Sequence, residues 1–333
     1  MKDKKIKSEN SELLKVKRDK LSEKFARIYS KYGTIVIFLI IFIIAASSSP
    51  IFLKTENLRN VLVQIAVFTL LAFGETFIII MGHIDVSVGM SIALSGCVSA
   101  MVMSNTQSLT LAVLAGIGMG MLIGLINGFL ITQFKIPAFI ATLAMTTVAR
   151  GAVLIITKGV PVTNLGNYTV FGQGSILGIP NPILILALFM IISWLLLHKM
   201  QFGRHLFAIG GNINAAYAAG VRVKKVVMKA FLYNGVLVGV AGIVFMSRIN
   251  SGWPAAGLGY EFIAISAVVI GGTSLMGGRG AIVGTLLGSL IIGVITNILN
   301  LLNVNAYWQQ VARGLIIAIA VILDVFTKEK IEK

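Results

Sequence analysis

The stretch Leu58–Met81, LRNVLVQIAVFTLLAFGETFIIIM, decides the fold class. Within it only Arg59, at one edge, and Glu75, near the other, are ionisable. About 20 predominantly apolar residues in an α-helix cross the ~30 Å hydrocarbon core of a bilayer. Similar runs recur along the chain, and ten crossings are expected at 34–53, 58–81, 87–104, 108–133, 137–157, 182–199, 226–248, 260–276, 280–303 and 305–326. Residues 82–86 are too few for a solvated loop, so the second and third runs read as a helix broken within the bilayer. The reading is an all-α polytopic membrane protein: a basic arm over 1–33, a membrane domain over 34–326 and a tail over 327–333.

Composition agrees. The 333 residues are 57% hydrophobic and 12% charged, with mean hydropathy +0.93. Globular domains carry roughly 25% charged residues, so a soluble chain of this kind would have too few to cover its surface. A soluble enzyme, a nucleic-acid binder and a disulfide scaffold are excluded. The net charge of +16 reflects segments that flank apolar runs, which is how membrane proteins record orientation. Residues 1–33 carry eleven Lys/Arg and five acids, a lead too long for the n-region of a signal peptide, and so read as a retained arm. Cys97 is the single cysteine, and with His83, His198 and His205 it shows no metal-ligand spacing. No G-x-x-x-x-G-K-[ST] phosphate loop is present. Neither metal nor cofactor is expected.

Orientation follows from the cations. With the N-terminus inside, segments 1–33, 134–136, 198–229, 277–279 and 327–333 hold 22 Lys/Arg, and the opposite segments hold Lys54, Arg59, Lys158 and Arg248. Both termini are expected in the cytoplasm.

Two stretches resemble one another: Asp85 precedes Gly96 as Glu261 precedes Gly272, and Val148-Ala149-Arg150-Gly151 is matched by Val311-Ala312-Arg313-Gly314. Between them lie glycine ladders, Gly116, Gly120, Gly124 and Gly128 in one, Gly280, Gly284 and Gly288 in the other. Five expected crossings separate the copies, about 58–157 and 226–326, and an odd number inverts the second. Inverted repeats around a midplane path are typical of transporters.

No Asp or Glu occurs between Val86 and Tyr260. The membrane-embedded ionisable groups are therefore Glu75, Asp85, Arg150, Arg313 and Glu261, and such groups face a bundle interior or a watery path. Asp85 and Glu261 either line a permeation path or satisfy backbone N–H groups at helix starts. The second reading is favoured, because no carboxylate–histidine–lysine relay accompanies them. The ladders read as helix-packing faces, with a path lined by bare backbone as the alternative. His83 reads as a structural polar residue at the break, and Trp253 and Trp308 as interface anchors.

Gly203–Val221, GRHLFAIGGNINAAYAAGV, joins the sixth and seventh crossings on the cation-rich side. A short helix over Ala215–Ala219 is expected, N-capped by Asn214 and stopped at Gly220. The segment reads either as an interfacial linker or as a docking helix whose small side chains enter a partner's cleft.

From about Asn57 to Asp324 the chain resembles the ribose/simple-sugar permeases of ATP-driven, binding-protein-dependent importers. Gly82-His83-Ile84-Asp85-Val86-Ser87-Val88-Gly89 is similar to their G-x-D-x-S-V-G signature, and Ile136–Leu143 to their I-P-x-F-I-x-T-L stretch. Gly203–Gly220 resembles their coupling loop, and Gly271–Gly280 their second-half signature. An acid frequent near Asn214 and a charge frequent near Tyr217 in that loop are uncharged here. The resemblance implies a bacterial inner-membrane permease subunit, itself not an enzyme. Its partners would be a second permease copy, a cytoplasmic ATP-binding subunit, an external sugar-binding protein and membrane lipid, with no nucleic acid. The coupling loop, about 200–225, would present Gly203, Arg204, Gly210, Gly211, Asn212, Ala215, Ala216 and Gly220 to the ATPase. The translocation-path candidates are Asp85, Ser87, Asn127, Glu261, Thr273 and Ser274. The alternative function is a self-sufficient secondary carrier or channel for a small polar solute. Intramembrane hydrolysis lacks a nucleophile–base constellation.

Overall fold

The computed structural model describes residues 33–312 together with 314, 315, 318 and 322. The basic arm short of Gly33, the tail and ten of the 22 residues of the tenth expected crossing lie outside the described residues. Among the described residues, seven of the expected crossings are helices long and apolar enough to span a bilayer: α2 (Thr55–Ile80), α3 (Val88–Thr106), α4 (Leu109–Gln133), α5 (Ala138–Thr157), α6 (Asn181–Trp194, prolonged to Lys199 by a π-helical turn), α9 (Val223–Ile249) and α11 (Ile282–Leu301). Two others are shorter than expected, α1 (Gly33–Ser48) and α10 (Tyr260–Ile270). The crossing expected over 260–276 is thus corrected. Gly271 caps α10, and Gly272, at φ +86°, turns its amide back to the Val269 carbonyl (2.8 Å), while Thr273 bonds that of Val268 (3.1 Å). This is the left-handed stop that glycine makes without steric penalty. The eleven residues of α10 rise only about 16 Å.

α9 lies at the centre, packed against α2, α3 and α4. α2, α3 and α9 bury most of their surface, while α4, α5 and α6 leave most of theirs exposed. Leu114, Leu122 and Phe129 of α4 and Leu188 of α6 are among the large exposed apolar side chains, which suits contact with lipid. The first glycine ladder faces α9. A Cβ added at Gly120 would run into the Gly235 carbonyl oxygen, one at Gly124 into that of Phe231, and one at Gly235 into that of Gly120. The second ladder does the same for α10 and α11: Gly284 abuts the Gly271 carbonyl and Gly288 that of Ala267. Both ladders are packing faces, where small residues let backbones approach.

The segment between α5 and α6 folds back into the bundle. Its 3-10 turn, Gly166–Phe171, carries the fully buried Tyr168, whose hydroxyl donates to Ser99 Oγ of α3 (2.7 Å). Ser247 of α9 donates to the Tyr168 carbonyl (2.5 Å), and a two-residue hairpin, β1 (Ser175–Ile176) with β2 (Ile179–Pro180), leads into α6.

The α4–α9 contact gives a paired test. Gly120→Ala overfills a backbone contact and is expected to destabilise by about 1–3 kcal/mol. Gly118→Ala, whose Cβ meets nothing within 4 Å, is expected to be neutral or slightly stabilising, since alanine is the better helix former. Thermal unfolding of the detergent-solubilised variants measures the difference.

Candidate functional site

The break between α2 and α3 is built as a sequence of compensated losses. α2 ends at Ile80. Gly82, at φ +78°, directs its amide to the Ile79 carbonyl (2.8 Å), and the His83 amide bonds that of Ile78 (3.1 Å). The amides of Asp85, Val86 and Ser87 then have no helical carbonyl to bond, and side chains supply the acceptors. Asp85 Oδ1 accepts from the Ser87 amide (2.9 Å) and the Ser87 hydroxyl (2.5 Å), and Asp85 Oδ2 accepts from Asn234 Nδ2 of α9 (3.0 Å). Asn127 Nδ2 of α4 donates to Ser87 Oγ (3.0 Å). The Asp85 amide donates to Glu75 Oε2 (3.4 Å) and the Val86 amide to Thr142 Oγ1 of α5 (3.2 Å). The Thr146 hydroxyl donates to the Val86 carbonyl (3.1 Å). Glu75, Asp85, Ser87, Asn127 and Asn234 are all buried. Asn234 lies eleven residues into α9, about 16 Å from its start, so the cluster sits well inside the bundle.

Three of the six path candidates, Asp85, Ser87 and Asn127, are therefore brought together. They are joined by Glu75, noted in the sequence as an embedded acid, and by Asn234, which no sequence signal marked: an asparagine among apolar residues needs the fold to say what it faces. In the structure Asp85 braces the start of α3 through the Ser87 amide and hydroxyl. Glu261 is joined to this cluster by no hydrogen bond among the described residues. It lies in the first turn of α10 with its carboxylate against Gly89 in the first turn of α3, where any Cβ would collide with Oε2. Thr273 and Ser274 are buried in the loop after α10, where the Ser274 amide bonds the Arg279 carbonyl (3.1 Å) and Ser274 Oγ accepts from the Met276 amide (3.3 Å).

The segment between α6 and α9 forms two helices, α7 (Gln201–Gly211) and α8 (Ile213–Ala218). α7 turns Gly203, Leu206 and Ile209 inward, and the Phe202 ring stacks on Phe77 of α2 at 6.0 Å between centroids. Its end is locked into a backbone junction. The Gly278 amide donates to the Ile80 carbonyl (2.9 Å), and a Cβ at Gly210 would strike both that carbonyl and the Gly278 amide. Gly210 of α7, the last residue of α2 and the loop after α10 thus meet with no side chain between them.

Two expectations for α8 are corrected. The helix begins two residues earlier than expected and is capped by Asn212, not Asn214: Asn212 Oδ1 accepts from the amides of Asn214 and Ala215 (both 3.0 Å). Gly220 does stop the turn, at φ +80°. From Gly211 to Gly220 every residue is exposed except Ala216, which is 3% exposed and faces its own chain. The outward surface is formed by Ile213, Ala215 and Tyr217. Arg204 is exposed as well.

Membrane-length helices around a buried, polar helix break, with a helical segment at one end seated directly on that break, define a multi-pass membrane transport protein. The chain belongs to the family described as branched-chain amino acid transport system / permease component, whose family model matches residues 57–321. It is 46% identical over 304 residues to the ribose import permease protein RbsC of Bacillus subtilis, covering 90% of this chain and 94% of that one. It is 37% identical to the RbsC of Haemophilus influenzae, over 93% and 97% of the two chains. The L-arabinose transport system permease protein AraH of Escherichia coli is 40% identical, over 92% and 93%. No solved structure matches the chain.

Asp85 carries three of the bonds at the break. Asp85→Ala leaves the Ser87 and Asn234 donors buried without an acceptor, at about 1–3 kcal/mol for each. Thr147→Val, on the exposed face of α5, is expected to lie within about 0.5 kcal/mol of the parent. Unfolding midpoints of the two purified variants make the comparison.

Proposed function

We propose that this chain is the membrane-spanning subunit of an ATP-driven, binding-protein-dependent importer of a monosaccharide in the bacterial cytoplasmic membrane. It would work with a second permease chain, a cytoplasmic ATP-binding subunit and an external sugar-binding protein. Similarity to permeases named for ribose and L-arabinose supports the sugar, and 22 cations on one side support cytoplasmic termini. The observation that carries the reading is the backbone junction of Gly210, Ile80 and Gly278. A chain without a phosphate loop transports actively only when an ion gradient or another protein's ATP cycle drives it, and the ATP cycle needs a mechanical link into the bundle. The junction is a rigid route from the α7–α8 segment to the helix break in the first half and the loop in the second. The exposed surface of Ile213, Ala215 and Tyr217 is the docking face in this reading, and Ala216 holds α8 to its own chain.

Ten crossings arranged as two inverted repeats complete the proposal. Its support lies in the packing. Exchanging α2 with α9, α3 with α10 and α4 with α11 turns the pair α4–α9 into α11–α2, α3–α9 into α10–α2 and α3–α4 into α10–α11, and leaves α2–α9 unchanged. All of these pairs are in contact. Asp85 just before α3 and Glu261 at the start of α10 then hold corresponding places.

Three measurements test the reading. In proteoliposomes holding the four components, sugar uptake should require ATP and survive an ionophore; uptake without the ATP-binding subunit would instead identify a self-sufficient carrier. Gly210→Val should reduce uptake at least tenfold while the ATP-binding subunit still copurifies, because the change wedges the junction and leaves the docking face intact. In intact cells, Asn167→Cys should react with an impermeant thiol reagent and Asn214→Cys should not. The reverse pattern would overturn the orientation.

A further inference from the structure

Arg150 is the thirteenth of the 20 residues of α5, about 18 Å from its first residue and 10 Å from its last. It is exposed, and no hydrogen bond or ion pair joins it to the described residues. A charged side chain at this depth is costly in lipid. Arginines near helix ends escape by reaching for the nearer headgroups, but side chains on a helix lean towards its N-terminus. In the proposed orientation α5 runs outwards, so Arg150 leans towards the bilayer centre and away from its nearer interface. Its neighbours one turn away are Thr146 and Thr147 towards the N-terminus and the exposed Leu154 towards the C-terminus, so Arg150 ends a polar strip that runs inwards through Thr146 to Thr142, with the exposed Leu143 beside it.

A second observation points to water on the same edge. One turn inwards of Arg150, the Thr146 hydroxyl bonds the Val86 carbonyl, and one turn further Thr142 bonds that of Ile84 (3.3 Å). α5 thus lies along the helix break, and there Gly82 is exposed while His83 and Ile84 are only half-buried. Irregular backbone at membrane depth is tolerated where it is buried in protein or lines a water-filled cavity. A cation without a partner among the described residues and a partly open helix break both lie along α5, and water there explains both.

We propose that this edge of α5 fronts the water-filled translocation path, closed on its far side by a second permease chain, and that Arg150 binds the passing sugar. The proposal rests on the importer reading. A guanidinium presents five N–H donors in a planar fork and no acceptor, which fits neighbouring hydroxyl oxygens of a neutral, polyhydroxylated cargo. The absence of any acid from Val86 to Tyr260 leaves that fork free of a carboxylate from this stretch of the chain.

The test uses the assembled importer in proteoliposomes, with Cys97→Ala as parent and whichever of ribose, allose and arabinose the parent takes up. Arg150→Cys and Thr147→Cys should react with a membrane-impermeant thiol reagent supplied on both sides. The sugar-loaded binding protein should slow that reaction at least fivefold. Arg150→Gln should lower uptake at least tenfold, with Arg150→Lys between it and the parent, while partner subunits still copurify. ATP-driven uptake by the parent with both cysteines inert, or reacting at a rate the sugar does not change, overturns the proposal alone, as does parental uptake by Arg150→Gln. Uptake by the parent that ignores ATP overturns the importer reading and this one with it.

Discussion

A backbone amide or carbonyl inside a bilayer has no water to fall back on, and the arrangement of this chain follows from that constraint. Seven long helices satisfy it internally. Where the helix stops, between Ile80 and Val88, other elements must supply the missing partners. α2 gives Glu75, α4 gives Asn127, α5 gives Thr142 and Thr146, and α9 gives Asn234. The break is therefore a fixed point that ties four helices together, and Asp85 is its centre because its two carboxyl oxygens accept three bonds.

The second constraint is the weakness of any hydrophobic drive between helices in lipid, which leaves close packing to hold them. The α4–α9 contact meets it with glycine against glycine, Gly120 on Gly235 and Gly116 on Gly239. The same device recurs where the α7–α8 segment meets the bundle, at Gly210. There it has a different consequence. Backbone packed on backbone has no rotamers to absorb a displacement, so a push on α7 arrives at Ile80 and Gly278 with little loss.

The sequence made the class, the helix positions and the break legible because apolar length and glycine placement are local signals. The two ladders read correctly as packing faces for the same reason. Three things were hidden. The shortness of α10 depends on Gly271–Gly272 acting as a stop, although apolar composition continues to Met276. The inward turn of Ala216 depends on how α8 lies against α9, and an alanine-rich helix shows no face of its own. The recruitment of Asn234 to Asp85 spans 149 residues of sequence, and no pattern within either segment records it. The resemblance grouped Asp85 with Glu261, Thr273 and Ser274 as path candidates; among the described residues no hydrogen bond ties the last three to Asp85, because a signature lists residues and the fold decides their partners.

The two kinds of contact also differ in what it takes to break them, and this indicates where the molecule moves. Separating α4 from α9 removes close van der Waals contacts that neither lipid nor water restores in that narrow space. Separating α5 from the break removes the bonds of Thr142 and Thr146 to Ile84 and Val86. Water can replace those with nearly equal enthalpy, at up to about 2 kcal/mol of immobilisation for each molecule. The α2–α3–α4–α9 core is thus expected to move as one body, with α5 parting from it along the break. Wetting that seam would bring Asp85 and Ser87, buried in the closed arrangement, to the edge of the space that Arg150 faces. A burst of water along this polar seam opens a route for a polar solute, while the apolar contacts of Ala141, Met145, Ala149 and Val153 on the buried face of α5 set how far that helix can part from its neighbours.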